Sequence, residues 1–426
     1  MVVIVFGIAA CGTEGRPEAA PPELPTQTLL TSSMRQEPVP GWTTSVAELG
    51  LPPGTVVRPV DNIGSRGVFL GITDEGWWLL GLDVASGERL FGPVRLGPAG
   101  NATAFNCFVN GPPLVLCVRQ APDPGAQSTA WVVDTDSGAT VFEGPTDVQV
   151  AAAEGRPRLE QIGDRVIATV TDKGIYGVGS RGELTWFVPG NGIMPTQFTT
   201  EDVDTPASNL VVQKGSDLAD VVFSVVDGRV VKPEFSQDVQ LWRAMVYPGG
   251  FGYEYTTAAG EDRIAFFDDA GNMLSQLDIE GTLETGSIDV PTVSTELNKL
   301  VVALDGRRLL ELPPTVPYLD VRLIGSRFFV AADPEHEAWQ QFDLRTGEAG
   351  KTCEDEDLTF YYIGSDGEVA VTGGGDGIAQ GIDLTTCEIL WTIPGPGPRE
   401  AKEVWKVDTS LIQRTDDKLF SLVAPR

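Results

Sequence analysis

One phrase recurs down this chain and limits what it can fold into. In Trp78-Leu79-Leu80-Gly81-Leu82-Asp83-Val84-Ala85-Ser86-Gly87-Glu88-Arg89-Leu90-Phe91, an apolar run of strand length ends in Asp; a glycine and then an aromatic residue follow at steps of four. Related forms are Trp131-Val132-Val133-Asp134 with Gly138 and Phe142, Gln341-Phe342-Asp343 with Gly347, and Gly381-Ile382-Asp383 with Cys387 and Trp391. Such marks fall near Asp83, Asp134, Ser180, Asp227, Asp268, Asp305, Asp343, Asp383 and Val423. Their intervals, roughly 37 to 51 residues, suit a stacked array of one supersecondary unit.

Each mark reads as a tight turn between antiparallel strands. The Asp side chain accepts from a backbone N–H just ahead of it, and Gly supplies a positive φ without a Cβ clash. Asp227-Gly228 and Asp305-Gly306 read as two-residue hairpin turns. Between marks lie more strands: Arg165 to Val170, Asn209 to Gln213 and Arg327 to Ala332 are short and rich in β-branched or aromatic residues. No span of a dozen residues carries helical periodicity, so the class is all-β.

The two ends fit each other. Lys418 to Val423 stops after a third strand, and Gly41-Trp42-Thr43-Thr44-Ser45-Val46 resembles the fourth-strand segment Leu390-Trp391-Thr392-Ile393. The expected architecture over 41–426 is a β-propeller of four-stranded antiparallel blades, its ring closed by an N-terminal strand that covers an otherwise open edge. Nine marks can be counted, but Leu283 to Leu312 reads as too poor in strands for a full blade. Eight blades are therefore favoured, within a range of seven to nine.

The Asp-x-x-x-Gly-x-x-x-(Trp/Phe) phrase resembles the repeat of PQQ-type, quinoprotein-dehydrogenase-like β-propellers. Its full or partial matches are Asp83/Gly87/Phe91, Asp134/Gly138/Phe142, Gly182/Trp186, Asp343/Gly347 and Asp383/Trp391. The resemblance runs from about Trp42 onward and implies an aromatic side chain docked between blades. Lys232, Ser275, Leu310 and Lys351 stand where that aromatic residue is expected. No cofactor comes with the likeness. The alcohol-oxidising relatives stack their quinone on tryptophan and on a disulfide between adjacent cysteines, and no adjacent cysteine pair occurs here.

The first forty residues carry an address. Val2 to Ala10 is apolar, ends in Ile8-Ala9-Ala10 and meets Cys11, which resembles a bacterial lipobox. Residues 1–10 read as a lipoprotein signal peptide and Cys11 as the lipidated residue. Residues 11–40, rich in proline, small polar residues and charges, read as a disordered tether. Each buried acyl CH₂ contributes ~0.8 kcal/mol, so several chains hold a protein stably at a membrane. Four further cysteines remain. Cys107 and Cys117 flank the turn Asn110-Gly111-Pro112-Pro113, which sets them opposite each other on a hairpin, and Cys353 and Cys387 are spaced for a bridge between neighbouring blades. Two disulfides imply an oxidising compartment, in agreement with the lipobox.

Sixty acidic against thirty basic residues give a net charge of −30. Nucleic-acid binding needs basic patches that displace counterions from phosphates, and none is visible. The lone histidine, His336, sits in a polar turn, so histidine-based triads and metal sites lack a second member. Asp134-Thr135-Asp136-Ser137-Gly138 has the start of a calcium loop but coincides with a repeat turn; Asp202-Val203-Asp204 and Glu354-Asp355-Glu356-Asp357 read as solvated acidic turns. Phe251/Tyr253/Tyr255, Trp77/Trp78 and Phe360/Tyr361/Tyr362 read mainly as inter-blade packing. No catalytic, cofactor-binding or metal-binding residue is nominated. The expectation is a monomeric, non-enzymatic, lipid-anchored propeller outside the cytoplasm that binds envelope proteins or peptides. The broad, rigid loop-bearing surface of a propeller makes an envelope scaffold the leading reading, and the chain also resembles the propeller lipoprotein of outer-membrane β-barrel assembly, whose repeats many envelope proteins share. The competing reading, a ligand sensor or quinoprotein-like enzyme working through the central channel, requires carboxylates or aromatic rings converging there.

Overall fold

A computed structural model describes residues 24–98, 104–123, 126–194, 204–216, 219–286, 288–313, 320–332, 338–354, 358, 361–374, 377–397 and 401–426. Its strands form nine antiparallel sheets, numbered here as blades in chain order: 56–95, 104–146, 158–189, 210–224, 239–277, 282–312, 321–354, 362–394, and a ninth made of 403–423 and Val39–Ser45. Eight of them have four strands. Blade 4 has two, Leu210–Lys214 and Asp220–Ser224, with a single bridge from Phe223 to Val230 where a third would run. The segment from Leu283 to Leu312, expected to be too short, makes a complete four-stranded blade from strands of two to five residues. Short strands suffice there because neighbouring blades cover both faces.

The ring closes as its ends suggested. Val39–Ser45 lies antiparallel to Lys418–Val423, pairing Val39 with Val423 and Ser45 with Lys418, as the outer strand of blade 9. The inner strand of that blade, Glu403–Val407, packs on the inner strands of blades 8 and 1, Tyr362–Ser365 and Val56–Ile63. Alternate side chains along a strand point into opposite seams. Trp77 accordingly belongs to the core shared with blade 2, stacked on Phe105 at 4.1 Å, while Trp78 belongs to the core shared with blade 9. Phe251, Tyr253 and Tyr255 are buried between blades 4 and 5, so these aromatic groups serve packing. Each fully buried large apolar side chain is worth roughly 1.5–3 kcal/mol.

The repeat turns form as the Asp/Gly spacing requires. Asp83 Oδ1 accepts from the N–H groups of Ala85 and Ser86 at 3.2 and 2.8 Å, and Gly87, at φ +75°, donates back to the Asp83 carbonyl at 2.8 Å. Asp134 does the same with Asp136 and Ser137, so its carboxylate serves the repeat turn with which the phrase coincides. The two-residue turns expected at Asp227-Gly228 and Asp305-Gly306 are longer. Ser224 and Arg229 close a four-residue loop in which Ser224 Oγ replaces the Asp carboxylate, and Ala303 and Arg307 close a three-residue one. The reason is the same in both: the pairing N–H and C=O groups sit one or two residues outside the Asp-Gly pair.

The tether expectation fails for residues 24–40. Leu30 and Met34 are buried, and Leu24 packs on the core between blades 6 and 7. The segment runs across the face that carries the turns between inner and second strands, donating from Leu30 to Ser365 O at 2.7 Å and from Thr31 to Thr409 O at 3.1 Å. Met34 N–H donates to Asp366 Oδ2 at 2.6 Å, and its carbonyl accepts from Trp391 Nε1 at 2.6 Å. Arg35 bridges Asp383 at 2.9 Å and Glu368 at 3.3 Å. A segment too poor in apolar residues to fold alone can still order when the ring supplies the core and the acceptors. Residues 1–23, with Cys11, lie outside the described residues, as do His336, Asp202, Phe360 and residues 355–357.

Candidate functional site: the central channel

The inner strands of the blades face the ring axis, and one side of that axis is filled by chain. Among the described residues no strand precedes Leu210–Lys214 in blade 4, and residues 204–205 bond instead to Asp289 near blade 6 and to side chains of blades 8 and 9. Lys406 of blade 9 donates from Nζ to Asp204 Oδ1 and to the Thr28 carbonyl; the two charged side chains are only 2% and 3% exposed. Tyr362 Oη of blade 8 donates to the other Asp204 oxygen. The Arg322 guanidinium lies 4.3 Å from the centre of the Tyr362 ring and donates from Nε to Leu358 O. Thr205 Oγ1 donates to Asp289, which also accepts from Leu323 N at 3.1 Å. Gln27 completes the knot through Leu323 O at 2.5 Å and Gly325 N at 2.7 Å. Burial lowers the affinity of Lys406 for its proton, against the pull of the Asp204 carboxylate; burial, then the Asp204 charge, drives the Tyr362 hydroxyl well above its ordinary range. Asp204, expected on a solvated turn, is instead the buried centre of this knot, because Lys406 and Tyr362 of two distant blades converge on its carboxylate.

The other side of the axis is open. A cavity of about 1000 Å³ is lined by the inner strands of blades 1, 2, 3, 8 and 9 and by residues 205–207. Its polar wall includes Asp61, Glu160, Gln161, Asp164 and Asp408, with Trp405 and Phe108 as apolar surface. Gln161 ties three blades: its amide nitrogen donates to Asp61 of blade 1 and to Gly163 O at 2.8 Å, and its oxygen accepts from Val109 N of blade 2 at 2.9 Å. Burial raises the pKa of Asp61, against hydrogen bonds from Asn62 and Gln161, and burial likewise raises Glu160, against the pull of Arg158. Two carboxyls of raised pKa thus face one cavity, an arrangement suited to receiving a hydrogen-bonding or cationic group.

The four remaining cysteines form the two disulfides the spacing suggested. Cys107 and Cys117 are cross-strand partners in the hairpin of blade 2, and Cys353 of blade 7 bonds Cys387 of blade 8. Among the described residues no group of three or more His, Cys, Asp or Glu side chains is placed to hold a metal ion. Sequence reasoning missed Asp61, Gln161 and Lys406, and read Tyr362 mainly as packing. Each sits on an inner strand, and nothing in Val404-Trp405-Lys406-Val407 separates an axis-facing lysine from a solvated one.

Comparison with known proteins agrees with this architecture. A family model described as a conjugation-associated 9-bladed β-propeller domain matches residues 14–425. An uncharacterized protein of Mycolicibacterium smegmatis is 38% identical over 442 residues, covering 95% of this chain and 88% of that protein. Among solved structures, BamB from Moraxella catarrhalis aligns with a TM-score of 0.44 at 11% identity, covering 91% of this chain and 100% of that one. The computationally designed Ika8 protein aligns at 0.37 and 16% identity over 79% of this chain and 96% of its own. With nine sheets in a closed ring and a family model spanning almost its whole length, this chain belongs to the conjugation-associated 9-bladed β-propeller family.

Proposed function

We propose that this protein is a non-catalytic scaffold that binds proteins of a bacterial conjugation apparatus outside the cytoplasm, held to the membrane by lipid on Cys11. The observation that carries the reading is the match of residues 14–425 to a conjugation-associated family. Supporting it, both disulfides pair cysteines in a manner expected of an oxidising compartment. A rigid ring offers a broad loop-bearing surface while its repeats need only keep the ring intact. The net charge of −30 discourages adhesion to nucleic acid and to anionic lipid, which leaves protein surfaces as the natural partners. The protein acts as a monomer, its ring closed by its own strand Val39–Ser45.

The test is the transfer frequency of a conjugative element in cells lacking the protein, complemented with wild type or Cys11→Ser. It is paired with crosslinked pull-downs from membranes. Wild type should restore transfer and capture envelope components of the apparatus, whereas Cys11→Ser should leave the membrane fraction and lose both. Unchanged transfer without the protein removes the conjugative role, and full membrane retention of Cys11→Ser removes the anchor. The raised carboxyls of Asp61 and Glu160 favour one second reading, a sensor that takes a small or peptidic ligand into the channel. Quinone-dependent dye reduction by the purified protein would count against scaffolding.

A further inference from the structure

We propose that the Cys353–Cys387 disulfide is the latch of the ring: a covalent replacement for an inter-blade lock, which makes closure of the seam between blades 7 and 8 depend on oxidation. At three seams the lock is an aromatic side chain of the outer strand seated on the glycine-bearing turn of the next blade. Trp42 lies on Gly87 and donates from Nε1 to Val84 O at 2.8 Å; Phe91 lies on Gly138, and Trp186 on Gly228. Between blades 5 and 6 the lock is polar, Ser275 Oγ donating to Leu304 O at 2.7 Å.

The seam between blades 7 and 8 has neither partner of the usual pair. Lys351 occupies the aromatic position and offers only an exposed 3.3 Å contact to Thr386 O. Cys387 occupies the glycine position, holding the left-handed backbone (φ +58°) that the turn demands. Its sulfur bonds Cys353, two residues beyond Lys351 on the outer strand of blade 7. The covalent bond therefore lies where the aromatic ring and the glycine would otherwise meet. Cys107–Cys117 differs in kind, because it joins two strands already paired along a whole hairpin and crosses no seam.

Closing the latch joins two thiols into one S–S bond and releases two protons and two electrons. A disulfide-bearing oxidant takes up the electrons by thiol–disulfide exchange, its own disulfide ending as two thiols. This assignment stands whatever the ring binds.

Hydrogen exchange of the full chain, read by mass spectrometry, tests it. In Cys353→Ser/Cys387→Ser, exchange over 349–354 and 383–388 should quicken by at least about tenfold, the signature of lost local protection. In Cys107→Ser/Cys117→Ser that seam should stay as in wild type. Restoring the standard pair with Lys351→Trp/Cys353→Ser/Cys387→Gly should recover protection without any disulfide there. Should the first variant not fold, wild type under graded reductant reads the same property, and the seam between blades 7 and 8 should lose protection before the others. Unchanged exchange at the seam without the bond overturns the proposal. So does an equal seam response to loss of either disulfide, or failure of the tryptophan–glycine pair to restore protection.

Discussion

A Cβ at Gly87 would meet the Trp42 ring at 2.5 Å, and φ there is +75°. Gly87→Ala should therefore cost about 2–4 kcal/mol, combining backbone strain with a displaced ring. Gly54→Ala makes the control: φ is +76° but nothing lies within 4 Å, so about 1 kcal/mol is expected. Paired denaturation midpoints check both. Asp383 carries a second residue-scale prediction. Burial pushes its pKa up, but the Thr386 and Thr385 N–H groups and the Arg35 guanidinium outweigh that and leave it lowered. A lowered carboxyl adds stability above its unfolded pKa of about 4 and loses it as pH falls through the folded value. The stability gap between wild type and Asp383→Asn should be level near neutrality and close below about pH 4, which a pH series of urea melts will show. At this scale the turns were legible, since Asp and Gly at a fixed step leave few other readings. What replaces a missing aromatic residue was not, because the Ser275 hydroxyl and the Cys353–Cys387 bond answer one geometric problem with two unrelated chemistries.

The closing strand was legible for a related reason: Gly41-Trp42-Thr43 repeats the pattern of an outer strand in a chain that otherwise ends one strand short. The segment before it was not. Its order comes from acceptors on blades far away in sequence, Ser365, Asp366 and Thr409 among them, and no local composition reports those. Trp391, 6% exposed, anchors blade 8 to this segment through Met34 O, so Trp391→Ala should cost about 3–5 kcal/mol. It should also raise protease sensitivity between residues 24 and 40, which the other seam tryptophans should not. The Lys406–Asp204 pair belongs to the same scale because it joins blade 9 to the chain that leads into blade 4. Lys406→Met strands a buried carboxylate and should cost about 3–5 kcal/mol, whereas Lys406→Met combined with Asp204→Leu should cost less. A double-mutant cycle in chemical denaturation separates the two cases.

For the molecule as a whole, the propeller class, its eight four-stranded blades and its closure could be read from repetition alone, but the place of the incomplete sheet and the filling of the axis could not. Strands as short as Thr292–Ser294 escape pattern reading, and contacts made across the ring by Asp204 leave no mark in the sequence. The open half of the axis carries its own pH signature. A raised Asp61 means that the folded chain holds that proton more tightly than the unfolded chain does. Its contribution is therefore favourable below about pH 4 and lost as pH rises through the folded value. Asp61→Asn should be more stable than wild type at pH 7, with the advantage vanishing in acid; melts at both pH values decide it. The crossing chain also breaks the equivalence of the sectors. A frame built by repetition acquires a compass bearing: a visitor descending the axis finds a wall toward blades 6 and 7 and a hollow bounded by blades 8, 9 and 1 to 3, so its sectors are not interchangeable seats.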